Sequence, residues 1–247
     1  MLSISGGMAK ELVPIAGEPV LAHVLRECAD SGIEQVLVVV SPGKSSVVEL
    51  ARALAGSAGM PARIETAVQM EPRGLADAVR VGRDFAGNEP VAVALPDNLF
   101  VDTTEPAVAQ VIATYARERT NVVGLTEITA EQAATRGPTP VYPGVRRGDD
   151  FDIASIPTKG EKGSTFSVGG ARSAMTGVGR YVFVPDAFAM IDAVERSLEQ
   201  GRELDDIPVM QMMLANGTLR GRVLRGTFLD VGLPEGFREA SEKLARA

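Results

Sequence analysis

Cysteine and histidine each occur once in the 247 residues, and tryptophan not at all. A single thiol, Cys28, cannot form a disulfide within the chain, and a reducing compartment is its natural setting. A single imidazole, His23, with no second histidine or nearby cysteine, argues against a zinc centre. Both residues fall on one predicted helix, where Cys28 reads as buried filler. No apolar run approaches the roughly 20 residues that span a bilayer, and no charged-then-apolar leader is present. The expectation is a cytoplasmic protein with no membrane partner. Positive charge is also short. Lys and Arg total 25 against 32 Asp and Glu, a net charge of -7. The two signs are mixed along the chain, so there is no basic stripe for nucleic acid. A phosphorylated ligand would have to be held by local donors and a cation.

What is present is the pattern of an α/β protein. The length and a hydrophobic content of 45% suit a single domain, 1–247, with a core that needs no staples. Short β-branched runs alternate with helical periodicity. Strands are predicted at Leu2–Ser5, Gln35–Val40, Ala62–Val68, Val91–Leu95 and Asn121–Leu125. Helices are predicted at Pro19–Ala29, Ser45–Ala55, Leu75–Phe85 and Glu105–Arg117. This order implies a Rossmann-like, mostly parallel sheet wound with helices. From 126 to 170 the chain turns polar and rich in Gly and Pro, and it reads as a small strand-and-loop insertion. A strand at Gly179–Val184, helices at Asp186–Gln200 and Ile207–Ala215, a strand at Gly221–Leu224 and a helix at Pro234–Ala245 complete the pattern. The Met210–Met213 stretch reads as core, with a partner face, as in a homo-oligomer, as the alternative.

Ligands of open α/β sheets sit at the carboxyl ends of strands. After Val91–Leu95 comes Pro96-Asp97-Asn98, where an aspartate can offer oxygen to a hard cation or merely cap its own loop. Phe228-Leu229-Asp230-Val231-Gly232 repeats the arrangement, its alternative being an N-cap for the last helix. Two such carboxylates with substrate phosphates can complete a Mg²⁺ site. Lys10 follows the first strand and can reach a phosphate as a point charge. Gln69 can read a base edge through its amide, and Gly74, lacking Cβ, lets a flat ring approach the backbone.

Taken together these segments resemble a family. Lys10 to Pro19 (KELVPIAGEP), Gln69 with Gly74-Leu75-Ala76, Leu95-Pro96-Asp97, Gly179-Arg180-Tyr181-Val182 and Leu229-Asp230-Val231-Gly232 stand in the order found in sugar-1-phosphate nucleotidyltransferases. Bacterial UTP–glucose-1-phosphate uridylyltransferases are the nearest likeness. The resemblance implies a nucleotide-diphospho-sugar transferase type of fold. It implies attack of a sugar 1-phosphate oxygen on the α-phosphorus of a nucleoside triphosphate, UTP favoured, with pyrophosphate leaving. By position, Asp97 and Asp230 would hold Mg²⁺, and Lys10 would be the catalytic lysine steadying the phosphates. Gly6 and Gly7 would open the phosphate loop, and Gln69 and Gly74 would face the base. Gly179 would contact the sugar, and Asp206 falls near the acidic sugar-hydroxyl ligand, displaced by a residue.

The chain departs from the family twice. The Gly-rich loop of form Gly-x-Gly-Thr-Arg stops after Gly6-Gly7, and Met8-Ala9-Lys10 follows at once. Where the family has Glu-Lys-Pro this chain has Ser155-Ile156-Pro157, with Lys159 and Lys162 as the nearest substitutes. Each lost donor to a developing charge costs on the order of 10²–10³ in rate. An active transferase and a catalytically reduced relative that binds sugar nucleotides or sugar phosphates therefore both remain open. A dinucleotide-dependent oxidoreductase is disfavoured, because Ser5-Gly6-Gly7-Met8 lacks the Gly-x-Gly-x-x-Gly spacing.

Overall fold

The computed structural model describes residues 8–129, 131, 139–158, 173–199 and 201–245. The expected strand Leu2–Ser5, Gly6, Gly7, Lys159 and Lys162 lie outside the described residues. A single 3-10 turn, Lys10–Leu12, comes first. Then follow β1 (Pro14–Ile15), β2 (Glu18–Pro19), α1 (Val20–Asp30), β3 (Gln35–Val40), α2 (Ser45–Leu54) and β4 (Arg63–Val68). Next are α3 (Leu75–Val81), α4 (Arg83–Ala86), β5 (Val91–Ala94), β6 (Asn98–Val101), α5 (Ala107–Glu118) and β7 (Asn121–Thr129). The chain ends with β8 (Pro140–Arg147), β9 (Asp150–Ser155), β10 (Ser173–Phe183), α6 (Asp186–Ser197), α7 (Asp206–Ala215), β11 (Leu219–Val223), β12 (Thr227–Asp230) and α8 (Pro234–Leu244).

The chain groups into two compact units, one from Met1–Pro72, Ala94–Ala109 and Arg225–Ala247, the other from Arg73–Val93 and Gln110–Leu224. In the first unit β3 and β4 pair in parallel from Gln35↔Arg63 to Val40↔Val68. The apolar stripe of α1 (Leu21, Leu25) and that of α2 (Val47, Ala51) bury against Val40 and Ile64. This is the packing that period-3.6 patterns beside β-branched strands produce. A second cluster gathers Ile15, Val20, Val24, Leu99, Val101, Leu229, Val231 and Ala240. It forms because β6 and β12 pair antiparallel, from Thr227↔Val101 to Asp230↔Asn98. His23, on α1, lies 2.9 Å from the Ile15 carbonyl through Nε2, a satisfied structural histidine. Cys28 is a buried thiol in no disulfide.

The second unit holds a six-stranded sheet in the order β5-β10-β7-β11-β9-β8, with β10 also meeting β8. β7 and β11 run parallel, from Leu219↔Asn121 to Val223↔Leu125. The antiparallel pairings come from β10 and from the hairpin β8–β9. The polar stretch 126–170 therefore contributes real sheet. Val141, Phe151, Ile153 and Ile156 from it are buried in the unit's core. Ile156 stands where the family's lysine was expected, and its burial accounts for an apolar residue there. Met210 and Met213 are buried in the same core. Several boundaries moved, two of them at glycines. The helix expected over Leu75–Phe85 breaks at Gly82 into α3 and α4. β10 begins at Ser173, because Gly177 and Gly179 interrupt the apolar run without ending the strand.

Candidate functional site

In the first unit the ladder between β6 and β12 sets the geometry. Asp230 is paired with Asn98. One step beyond, the Val231 N–H donates to the Asp97 carbonyl at 2.9 Å. Residues opposed in an antiparallel ladder lie about 4.5–5.5 Å apart at Cα. Aspartates 133 positions apart in sequence are thus brought to the same strand ends. The Asp230 Oδ1 accepts from Gly232 N at 3.0 Å, which closes a tight turn. It does not cap α8, whose N-cap is Leu233 with no side-chain bond. The far end of the ladder is pinned too. Asp102 accepts from Thr227 Oγ1 at 2.9 Å and from Lys243 Nζ at 2.6 Å.

Lys10 reaches this place from the 3-10 turn. Its Nζ donates to Asp97 Oδ2 at 2.6 Å, with the two side chains 42% and 19% exposed. The lysine is therefore accessible, while Asp97 is largely enclosed. Two carboxylates with one ammonium leave the cluster one positive charge short of neutral. A polyphosphate would be repelled without a further cation. The donors are hard oxygens, and among the described residues no group of three or more His, Cys, Asp or Glu gathers to hold a metal by protein alone. That fits a small hard divalent ion held by one or two carboxylates and completed by substrate phosphates. Gln69 lies at the carboxyl end of β4, where its N–H donates to the Val40 carbonyl at 2.8 Å. Beside it a depression of about 330 Å³ is lined by Val40, Ser41, Lys44, Ser45, Arg52 and Val68. Both parallel strands of the unit end there, where α/β proteins bind ligands.

In the second unit three further expected residues converge. Gly74 has φ +110, and a Cβ on it would lie 2.5 Å from the Leu204 carbonyl oxygen. The space left by the missing side chain is therefore taken by the Leu204–Asp205 backbone. Glycine is required here for packing, and an approaching ring would have to meet the opposite side. Asp206 opens α7, its N–H held by Asp205 Oδ1 at 3.0 Å. Its Oδ2 accepts from the Tyr181 hydroxyl at 2.7 Å. Tyr181 follows the bulge in β10, where the register slips between Gly177 and Tyr181 and Gly179 takes φ +63. A bulge re-aims the residues around it. Burial, with the Asp206 charge beside it, holds the Tyr181 phenol well above its ordinary value of 10.0. It stays a donor to Asp206 throughout the neutral range.

Sequence reading missed Tyr181 as the holder of Asp206. It also missed Glu11 and Lys44, whose ion pair of 2.6 Å flanks Lys10. The signal for Glu11 was its place next to Lys10; nothing local marks Lys44 or Tyr181.

A family model described as nucleotidyl transferase matches residues 1–247. A protein of Bacillus subtilis (strain 168), whose name assigns it provisionally as UTP–glucose-1-phosphate uridylyltransferase, is 30% identical over 96% of this chain and 89% of its own length. A UTP–glucose-1-phosphate uridylyltransferase of Staphylococcus epidermidis (strain ATCC 12228) is 24% identical, over 96% of this chain and 84% of its own. The crystal structure of a UDP-glucose pyrophosphorylase complexed with UDP-glucose superposes with a TM-score of 0.81 at 20% identity, covering 100% of this chain and 94% of that one. At that identity the likeness is one of fold.

Proposed function

The chain belongs to the nucleotidyl transferase family, and from that premise we propose that it joins a nucleoside triphosphate to a sugar 1-phosphate, with UTP and glucose 1-phosphate as the preferred pair. The phosphate oxygen of the sugar attacks the α-phosphorus, the bond from that phosphorus to the bridging oxygen breaks, and pyrophosphate leaves. The products are a nucleotide sugar and pyrophosphate. The observation that carries the reading is the convergence of Lys10, Asp97 and Asp230 at the end of the β6–β12 ladder.

In this reading Asp97 and Asp230 hold Mg²⁺, which when bound supplies charge neutralisation and a common anchor for the reacting phosphates. Lys10 is the residue we assign to the phosphates. Its long stem leaves it free to exchange Asp97 for a phosphate oxygen without moving the backbone. Such transfers depend on positioning and electrostatics rather than on a protein nucleophile. Gln69 and Gly74 face the base, and Gly179 and Asp206 face the sugar. Tyr181 keeps one oxygen of Asp206 occupied and so fixes its orientation.

A second reading, a relative that binds sugar nucleotides or sugar phosphates with little turnover, is favoured by two observations. Met8 follows Gly7 without the Gly-rich loop, and buried Ile156 occupies the lysine position. One assay separates the two. UTP, glucose 1-phosphate and Mg²⁺ are mixed with the protein, and pyrophosphate and nucleotide sugar are quantified. The transferase reading expects both products in equal amounts. It expects Asp97→Asn to lower kcat/KM by about 10² or more, the scale of losing one preorganised charge partner. Ligand binding by calorimetry without either product would leave only the second reading.

A further inference from the structure

The turn that carries Lys10 has little structure of its own. It spans Lys10–Leu12, contains no buried residue and lacks a side-chain cap. One 3-10 turn is marginal in isolation, because few hydrogen bonds offset the ordering of its residues. Its firmest polar anchor is Glu11. Lys44 Nζ donates to Glu11 Oε1 at 2.6 Å and to Oε2 at 2.8 Å. The side chains are only 27% and 13% exposed, so solvent and salt screen this pair less than an ordinary surface bridge. Lys44 is the N-cap residue of α2, in the segment that leaves β3, and is 33 positions from Glu11. The turn is thus tied on one side through Glu11 to α2 and on the other through Lys10 to Asp97.

We infer that Lys44 is a positioning residue for Lys10. By gripping both oxygens of Glu11 it fixes the turn that aims the Lys10 ammonium at Asp97. It also neutralises a carboxylate that would otherwise stand one residue from Lys10 and oppose a polyphosphate. The catalytic consequence rests on the transfer reading above; the hold on Lys10 does not.

The test uses the full chain as wild type, Lys44→Met, Lys44→Arg, Glu11→Gln and the double variant Lys44→Met/Glu11→Gln. Reductive methylation followed by mass spectrometry reads the rate at which Lys10 is modified, whether or not the protein turns over. Lys44→Met and Glu11→Gln are expected to raise that rate roughly threefold to tenfold, the scale of losing a partly buried ion pair. The double variant should match the singles, since all three lose one interaction. Lys44→Arg, which keeps a two-point grip, should stay near wild type. Should Lys44→Met fail to fold, Glu11→Gln carries the same test with almost no change of shape. Unchanged Lys10 reactivity in both single variants would overturn the inference. With UTP and glucose 1-phosphate the singles should lower kcat while leaving KM for the sugar phosphate near wild type, and Lys44→Arg should restore kcat. Wild type without turnover would remove the transfer reading, while the methylation rates would still decide the role of Lys44.

Discussion

Gly236 lies in the first turn of α8, and a Cβ built on it would stand 2.1 Å from the Asp230 carbonyl oxygen and 2.7 Å from the Asp230 carbonyl carbon. Helix propensity alone favours alanine over glycine by about 1 kcal/mol. The clash is with backbone, which cannot swing aside, and overpacking of that kind costs about 1–3 kcal/mol. Gly236→Ala is therefore expected to lower stability by up to about 2 kcal/mol net in chemical denaturation. It should lower pyrophosphate release too, because relieving the clash moves Asp230. An alanine variant as active and as stable as wild type would show that α8 does not fix this carboxylate. At this scale the sequence singled out residues whose chemistry is rare in their setting: an acid after an apolar strand, a lysine after the expected first strand. Gly74 was legible as special, but its packing role was not, since the backbone that fills its space comes from 130 residues further along. Lys44 and Tyr181 were illegible because each acts through a partner that only the fold brings near.

At the scale of elements, Asp150 ties three together. It opens β9 and accepts from Thr114 and Arg117 of α5 and from Arg222 of β11. Burial, the largest single influence, pushes its carboxyl up, but hydrogen bonds from Thr114, Arg117 and Arg222 with the Arg117 charge outweigh it and hold it below its ordinary 3.8. A depressed carboxyl stabilises the fold above the unfolded-state value and loses that contribution as pH falls through the lower folded value. Asp150→Asn is therefore expected to lower Tm at neutral pH by roughly 4–8 °C, about 2 kcal/mol. The gap to wild type should close as pH drops below about 4. A gap that stays constant from pH 7 to pH 3 would contradict the assignment. Long periodic elements, α1, α2, β3, β4 and α6 among them, were legible to within a few residues. The four-residue strands β6 and β12 were not, since so short a run carries no periodicity. Yet their pairing creates the Asp97–Asp230 neighbourhood, so the two candidate residues could be named before the elements that bring them together.

For the whole molecule, the net charge of -7 and the single histidine shape the account. With two carboxylates at the candidate site of a net-negative protein, the proposed transfer assigns the acceptance of a triphosphate to a divalent ion. Manganese is a paramagnetic stand-in for magnesium at such oxygen sites. The family was legible because five weak motifs keep their order across almost the whole chain. The division into two compact units was not, because the chain crosses between them several times and no linker marks the passage. The most direct measurement is water-proton relaxation in a Mn²⁺ titration of the protein with saturating UTP, for wild type, Asp97→Asn and Asp230→Asn. The account predicts a ternary complex in wild type whose apparent affinity for Mn²⁺ falls at least about tenfold in each variant, as loss of one of two carboxylate ligands requires. Equal Mn²⁺ affinity in all three proteins would contradict it.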